Sequence, residues 1–368
     1  MASHPDILVI GAGVIGCAVA HGLAREGASV LVLDASTPGA GASQASAGVL
    51  APHIEATPGS PLQALGVSSL DLWDTFVGMV RSDAGFDVPY ARDGTLEVAS
   101  SDAGAAHLAD VAARLSAQGV PCELATGARL RDLEPLVSDE QQAGLFVPVH
   151  GTVHVRDLVD TLRLAAVHRG ARFAQPERVV RVRTEGTGFR VDTHSGSHSA
   201  RTVVVTSGAW SITLPLAGHP PVPTHPIRGQ LLRLHTSGPP VRRVLWGESC
   251  YLVPWGDELL VGATVEDVGF EQRATLAGVT ALSLASQALV PSLAAASFSE
   301  VRVGLRPNSP DGLPLIGPSS RWPALVYATG HYRNGILLAP LTARLVTNLV
   351  LGREEAIPEA VHPARLGM

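Results

Sequence analysis

The 368-residue chain contains no lysine, and all 27 of its basic residues are arginine. Schiff-base catalysis by a lysine and phosphate capture by a P-loop lysine are therefore excluded. Any cation that holds a ligand must be arginine or protonated histidine, and arginine's rigid fork of donors suits planar carboxylates. Cysteine is scarce: Cys17, Cys122 and Cys250 stand alone, with no CxxC pair. That argues against a disulfide scaffold and against a closed zinc site, and no metal is expected. Acidic residues outnumber basic ones 33 to 27, a formal net charge of −6, so there is no electrostatic footprint for nucleic acid or an anionic membrane. The uncharged stretch Ala274 to Ser299 is interrupted by Ser, Thr and Gln and by Pro291. It reads as a buried helix and loop, and no transmembrane segment is expected. Met1 to Asp6 carries no cationic region ahead of the first apolar run, so a secretory signal is not expected and the cytosol is the default compartment.

At this length two domains are the natural division, with a core large enough to need neither metal nor disulfide. Ile7 to Ile10 is a short apolar run ended by Gly11, the pattern of a strand buried on both faces. Val14 to Arg25 repeats Ile15, Val19 and Leu23 at helical spacing, with Gly27 as its stop, and Val30 to Leu33 is a second strand closed by Asp34. A strand, a helix and a strand in so few residues predict the crossover of a parallel sheet. Further helices are expected over 62–80, 103–118 and 155–169, and strands over 171–173, 178–183, 188–193 and 200–206. Short strands at 230–234, 251–254 and 258–264 have a more antiparallel character. The last strand, 324–328, leads through TGHYRNGILLAP into a helix ending near Val350. The domains read as interleaved: 1–84, 151–220 and 301–368 form one, and 85–150 and 221–300 the other.

The first turn spells Gly11-Ala12-Gly13-Val14-Ile15-Gly16. Gly11 permits the tight turn, Gly13 lets a pyrophosphate approach the backbone, and Gly16 lets helix and sheet pack closely. The helix N-terminus adds amide donors and a favourable dipole. Asp34 lies 23 residues after Gly11, where a carboxylate can accept both ribose hydroxyls of an adenosine and disfavours a 2′-phosphate. The fingerprint alone separates neither FAD nor NAD, although a single motif so near the start favours FAD.

With these features in place, the segments GASQASAGVLAP (41–52), CYLVPWGDELLVGAT (250–264), GLRPNSPDGLPLIG (304–317) and TGHYRNGILLAP (329–340) resemble the glycine oxidases of the D-amino-acid oxidase family, the thiamine-pathway flavoproteins. The resemblance runs in order along nearly the whole chain. It implies an α/β FAD-binding, Rossmann-like domain interleaved with an α+β substrate domain on a mostly antiparallel sheet. It also implies non-covalent FAD, a small amino-acid or N-alkylglycine substrate, and O2 as the acceptor that leaves as peroxide. By resemblance Ala35, Ser43, Gln44, Ser46, Ala47, Gly48 and Leu50 lie along the cofactor, Val179 on its adenine side, and Gly208 with Trp210 beside it. Gly330, His331, Tyr332, Arg333, Asn334, Gly335 and Ile336 would close around the flavin ring, with Gly335 and Ile336 opening a helix aimed at it. Relatives that form dimers or tetramers make a homo-oligomer an expectation by fold analogy alone.

An amino-acid substrate needs its carboxylate fixed. Arg306 in GLRP matches the family's carboxylate arginine, Tyr251 would donate a hydroxyl to the same group, and Arg333 would add a second cation. No general base is required if the neutral amine loses hydride directly from Cα, so activity should rise with pH. His331 reads either as a base or as a packing residue. His53, Trp246 and Trp255 are candidate pocket walls. Ser249 and Val265 replace bulkier residues of the thiamine-pathway enzymes and would reshape the pocket, and the segment HIEATPGSPLQ (53–63) also departs. These departures set an N-substituted glycine beside glycine as the substrate. A D-amino-acid oxidase or a quinone-linked amino-acid dehydrogenase is the alternative reading.

Overall fold

The computed structural model describes residues 5–236, 238 and 241–368. Met1–His4, part of the stretch from which no secretory signal is expected, lie outside the described residues. Two large sheets organise the chain. The first has six strands in the order Leu315–Pro318, Leu325–Thr329, Thr202–Val205, Ile7–Ile10, Val30–Leu33, Arg172–Ala174. All neighbours in it are parallel except the antiparallel edge strand Leu315–Pro318.

The two-residue alternation of a strand explains what covers this sheet. Ile7 and Val9 face a cluster with the helices Val14–Arg25, Val155–His168 and Ala339–Val350. Leu8 and Ile10 face the other way, against Val182, Phe189 and Val191 of a three-stranded antiparallel sheet, Val179–Glu185, Gly188–Thr193 and Ser197–Ala200. Each fully buried Leu or Val contributes about 1.5–3 kcal/mol, which is why these four-residue strands carry almost nothing but β-branched and leucine side chains.

The second sheet has eight strands: Ser297–Asn308, His225–His235, Glu258–Gly262, Tyr251–Trp255, Val244–Trp246, Thr95–Ala99, Ala143–Val147 and Glu123–Thr126. It is antiparallel apart from the parallel pair Val244–Trp246 with Thr95–Ala99. Leu232 and Leu234 turn to a core shared with the helix Leu276–Leu289, whereas Leu231, Val253 and Leu260 turn the opposite way with Ala47. The fold is thus the Rossmann-type nucleotide domain with a mixed-sheet, mostly antiparallel substrate domain that the family resemblance implies.

Several elements differ from expectation. The helix expected over 62–80 is two, Pro61–Leu70 and Trp73–Ala84, broken at Asp71 and Leu72. The strand expected at 230–234 runs from His225 to His235, because its partner Ser297–Asn308 pairs with it along its full length. The uncharged stretch expected to be buried is half-exposed: Leu276–Leu289 buries Gly278, Leu282, Ser286 and Leu289 but leaves Leu276 and Leu284 in solvent. Among the described residues no helix is long and apolar enough to cross a membrane.

Candidate active site

A cavity of about 800 Å³ runs from the first β–α turn to the face of the second sheet. At one end the glycine turn follows from sterics. Gly11 has φ +111°, and a Cβ there would lie 2.6 Å from the Thr206 carbonyl oxygen. A Cβ on Gly16 would lie 1.9 Å from the Gly11 carbonyl oxygen, so Gly16 serves packing and does not itself face the cavity. Gly11, Gly13, Val14 and Ile15 line it, and the Val14 amide donates to Ser43 Oγ at 3.0 Å. Asp34 lines it as well; Oδ2 accepts from the Ala12 amide at 2.6 Å and Oδ1 from the Ser36 amide at 2.8 Å. The carboxylate is therefore fixed at the mouth by backbone donors on both sides.

Ala35, Ser43, Ser46, Ala47, Gly48, Val179, Gly208 and Trp210 also line the cavity. Gln44 and Leu50 do not. Gln44 is exposed and donates to the Ala40 carbonyl, and Leu50 is fully buried in the helix-side core. Gln44 lies in the short helical turn Ala42–Ala45 and Leu50 ends the two-residue strand Val49–Leu50, and a family likeness in one dimension does not resolve which side chains of such a segment face inward. Glu177, Arg178, Val180, Ser207 and Thr213 join the wall without having been expected there.

At the other end the antiparallel sheet places two polar side chains over glycines. Tyr251 pairs with Gly262 across the strands, and a Cβ on Gly262 would lie 2.4 Å from the Tyr251 hydroxyl oxygen. Arg306 lies diagonally over Gly229, whose Cβ would come within 2.4 Å of the guanidinium. Those two glycines are the space in which the side chains lie. Arg306 Nη1 donates to the Thr264 carbonyl at 2.9 Å and to the Arg228 carbonyl at 3.3 Å. No acid pairs with Arg306 at salt-bridge distance among the described residues, so its charge is open to a ligand. Burial pushes the Arg306 guanidinium down and the Tyr251 phenol up, and the nearby Tyr251 and Arg306 oppose those shifts in each other.

The segment after the last parallel strand closes the site. His331, Tyr332, Arg333, Gly335 and Ile336 line the cavity; Gly330 and Asn334 do not. Tyr332 has φ +48°, the one non-glycine residue in the left-handed region among the described residues. Such a conformation costs of order 1–3 kcal/mol and is found where a site over-determines it. His331 is buried and neutral: burial lowers it to about 3, and Nε2 lies 3.0 Å from Thr342 Oγ1. That environment is one of packing and a hydrogen bond. The helix expected to open at Gly335 begins at Ala339. Gly335 and Ile336 sit in a preceding turn, where Leu338 N donates to the Asn334 carbonyl. Their amides have no backbone acceptor among the described residues, so donors are present even though the helix starts later.

Several suspected walls lie elsewhere. His53 pairs with His150 at 2.9 Å, Trp246 packs on Tyr251 at 4.9 Å between centroids, and Trp255 borders a separate cavity of about 140 Å³. Ser249 and Val265 are exposed and off the cavity, so neither reshapes it by direct contact. The departing segment 53–63 does reach the site, through Glu55. Its side chain is 11 % exposed, lines the cavity, and brings Oε2 to 3.3 Å from Arg333 Nε. The one signal for it was that segment's divergence, which named no residue.

Residues 6–349 match the family described as FAD dependent oxidoreductase (DAO). A glycine oxidase of Geobacillus kaustophilus is 32% identical over 359 residues, 97% of this chain and 95% of the relative. A crystal structure of a glycine oxidase from that organism superposes with a TM-score of 0.91 at 31% identity, covering 97% of this chain and 98% of the other. A bifunctional protein ThiO/ThiG of Nostoc sp. is 33% identical over 94% of this chain, which spans only 52% of that longer relative. An iminodiacetate oxidase from Chelativorans sp. BNC1 superposes with a TM-score of 0.85 at 26% identity, covering 97% of this chain and 98% of the other.

Proposed function

Because the chain belongs to the FAD dependent oxidoreductase family, DAO, and so has FAD as its non-covalent cofactor, we propose that it oxidises glycine or an N-substituted glycine. It is an FAD-dependent oxidase of the amine and amino-acid class; the specific substrate and the residue roles are our reading. The cavity fits the cofactor on its own terms: a turn that a Cβ would block, a ribose-type carboxylate at Asp34, and unpaired amides at Gly335 and Ile336. Cys17 is buried with Sγ on the Ala12 carbonyl, and Cys250 belongs to the core behind the sheet, so neither thiol faces the cavity. Bound FAD supplies a two-electron acceptor that passes its electrons on to O2 as peroxide.

The carrying observation is Arg306, a half-buried guanidinium with no acid partner among the described residues, beside the half-buried Tyr251 phenol in a cavity that also holds the nucleotide turn. Arg306 and Tyr251 bind the substrate carboxylate, and Arg333 supplies a second cation. The division we read is interleaved, with 1–84, 151–220 and 301–368 holding FAD and 85–150 and 221–300 covering the substrate, although the strand Ser297–Asn308, which carries Arg306, belongs to the second sheet and crosses the last boundary. A glycine oxidase and an iminodiacetate oxidase among its structural relatives support glycine and N-substituted glycines as the class to test. Hydrolysis of the resulting imine gives glyoxylate and the free amine. The test is a peroxide assay with glycine, sarcosine, longer N-alkylglycines and several D-amino acids. Turnover of the glycine series is expected; turnover of D-amino acids alone would contradict the reading.

A further inference from the structure

We propose that Glu55 takes the proton from the substrate's ammonium group, converting the bound zwitterion into the neutral amine that is oxidised. The inference rests on the functional reading above and assigns the amine end of the site, which Arg306 and Tyr251 leave open. Glu55 comes from the four-residue helix Pro52–Glu55, laid against the helix Pro61–Leu70. Its Oε2 is buried and lacks a hydrogen-bond partner among the described residues, although it stands 3.3 Å from Arg333 Nε.

Elimination points to the same group. The other acids lining the cavity are Asp34 and Glu177, which sit together at the adenosine end, where the Glu177 amide donates to the Asp34 carbonyl. His331 is neutral with Nε2 directed to Thr342, and burial raises the Tyr251 phenol. Glu55 faces Arg333 and Arg306, with Tyr251 and Tyr332 beside them, and the helix Pro61–Leu70 brings no charged side chain. On its own turn, His53 is engaged with His150.

On the acceptor side it is burial that favours the transfer. Two guanidiniums disfavour a third positive charge in the cavity, which lowers the proton affinity of a bound ammonium. Burial holds the Glu55 carboxyl above the usual carboxylate range, with Arg333 and then Arg306 opposing it. In the step, one N–H bond breaks, its electron pair stays on nitrogen, and the proton goes to a Glu55 carboxylate oxygen. That lone pair would then form the C=N bond as the Cα hydrogen leaves with its bonding pair, a hydride for which bound FAD would be the acceptor. The proton on Glu55 returns to solvent when product departs.

The experiment compares pH profiles of kcat/KM for glycine in the holoenzyme and in Glu55→Gln. At neutral pH the variant should fall about 10²-fold, the lower range for a general base. The deficit should shrink below about tenfold near pH 10, where much of the free amine is already neutral. Acetate, which has the carboxylate but no amine, should bind both proteins within about threefold, read from its perturbation of the flavin spectrum, while Glu55→Asp should restore part of the neutral-pH rate. A deficit constant with pH, or an equal loss of acetate binding, would overturn the proposal and leave Glu55 as a partner that merely holds Arg333. A wild-type holoenzyme that oxidises no member of the glycine series would instead remove the functional reading beneath it.

Discussion

Arg306 is held by carbonyl oxygens, those of Thr264 and Arg228, and not by an acid. That arrangement orients the guanidinium while leaving its charge unspent, which is what a carboxylate clamp needs. Arg306→Ala should therefore retain FAD and lose about 1.5–3 kcal/mol of carboxylate binding, the worth of a hydrogen bond to a charged group. The KM for glycine would rise by roughly 10- to 100-fold, and steady-state constants equal to wild type would refute the clamp. Asp34 has a double duty. It fixes the Ala12 and Ser36 amides while presenting itself to the cavity. Asp34→Ala should lower the fraction of protein purified with flavin, with the remaining holoenzyme still competent; a wild-type dissociation constant for FAD would count against the ribose assignment.

At the scale of elements, the substrate end is built by strand register. Tyr251 opposite Gly262 and Arg306 diagonal to Gly229 place two large polar side chains where the sheet has no side chains of its own. Gly229→Ala would set a methyl within the guanidinium, so the flexible end of Arg306 must swing off its carbonyl partners, with little expected cost to the fold. Turnover should collapse with FAD retained; unimpaired kinetics would show that Arg306 does not lie across that glycine. The same register explains what the sequence hides. Ile7–Ile10, Val14–Arg25 and Val30–Leu33 are legible because their pattern is local and their turn chemistry is explicit. Gly262 reads as an ordinary strand glycine and Gly229 falls just outside the strand expected at 230–234, until pairing shows what crosses them. The start of the last helix is misplaced from sequence for a related reason. The turn at Gly335 to Leu338 has helical composition, yet the helix proper opens only at Ala339, after the left-handed Tyr332.

For the whole molecule, the interleaved reading rests on strands that alternate between two sheets along the chain, and Ser297–Asn308 joins the two halves. A Cβ on Gly304 of that strand would lie 2.7 Å from Ala45 Cβ, in the turn that walls the cofactor cavity. Cofactor and substrate regions thus meet through backbone packing, and ligand binding should stabilise both together. Excess FAD at about 100 times its dissociation constant would add roughly 2.7 kcal/mol and raise a single, cooperative melting transition. Two transitions, only one of them FAD-dependent, would contradict that coupling. Glu55 shows the limit of reading such a site from sequence: it lies some 250 residues from Arg306 along the chain, and only folding reveals that they share a cavity.

The most direct test of the central claim is anaerobic bleaching of the flavin absorbance on mixing holoenzyme with glycine or sarcosine, compared between wild type and Arg306→Ala. Rapid bleaching is expected in the wild type, recovered with peroxide on admitting air, and bleaching at least about tenfold slower in the variant at low substrate. Equal bleaching in the two proteins, or a purified protein that takes up no flavin, would contradict it.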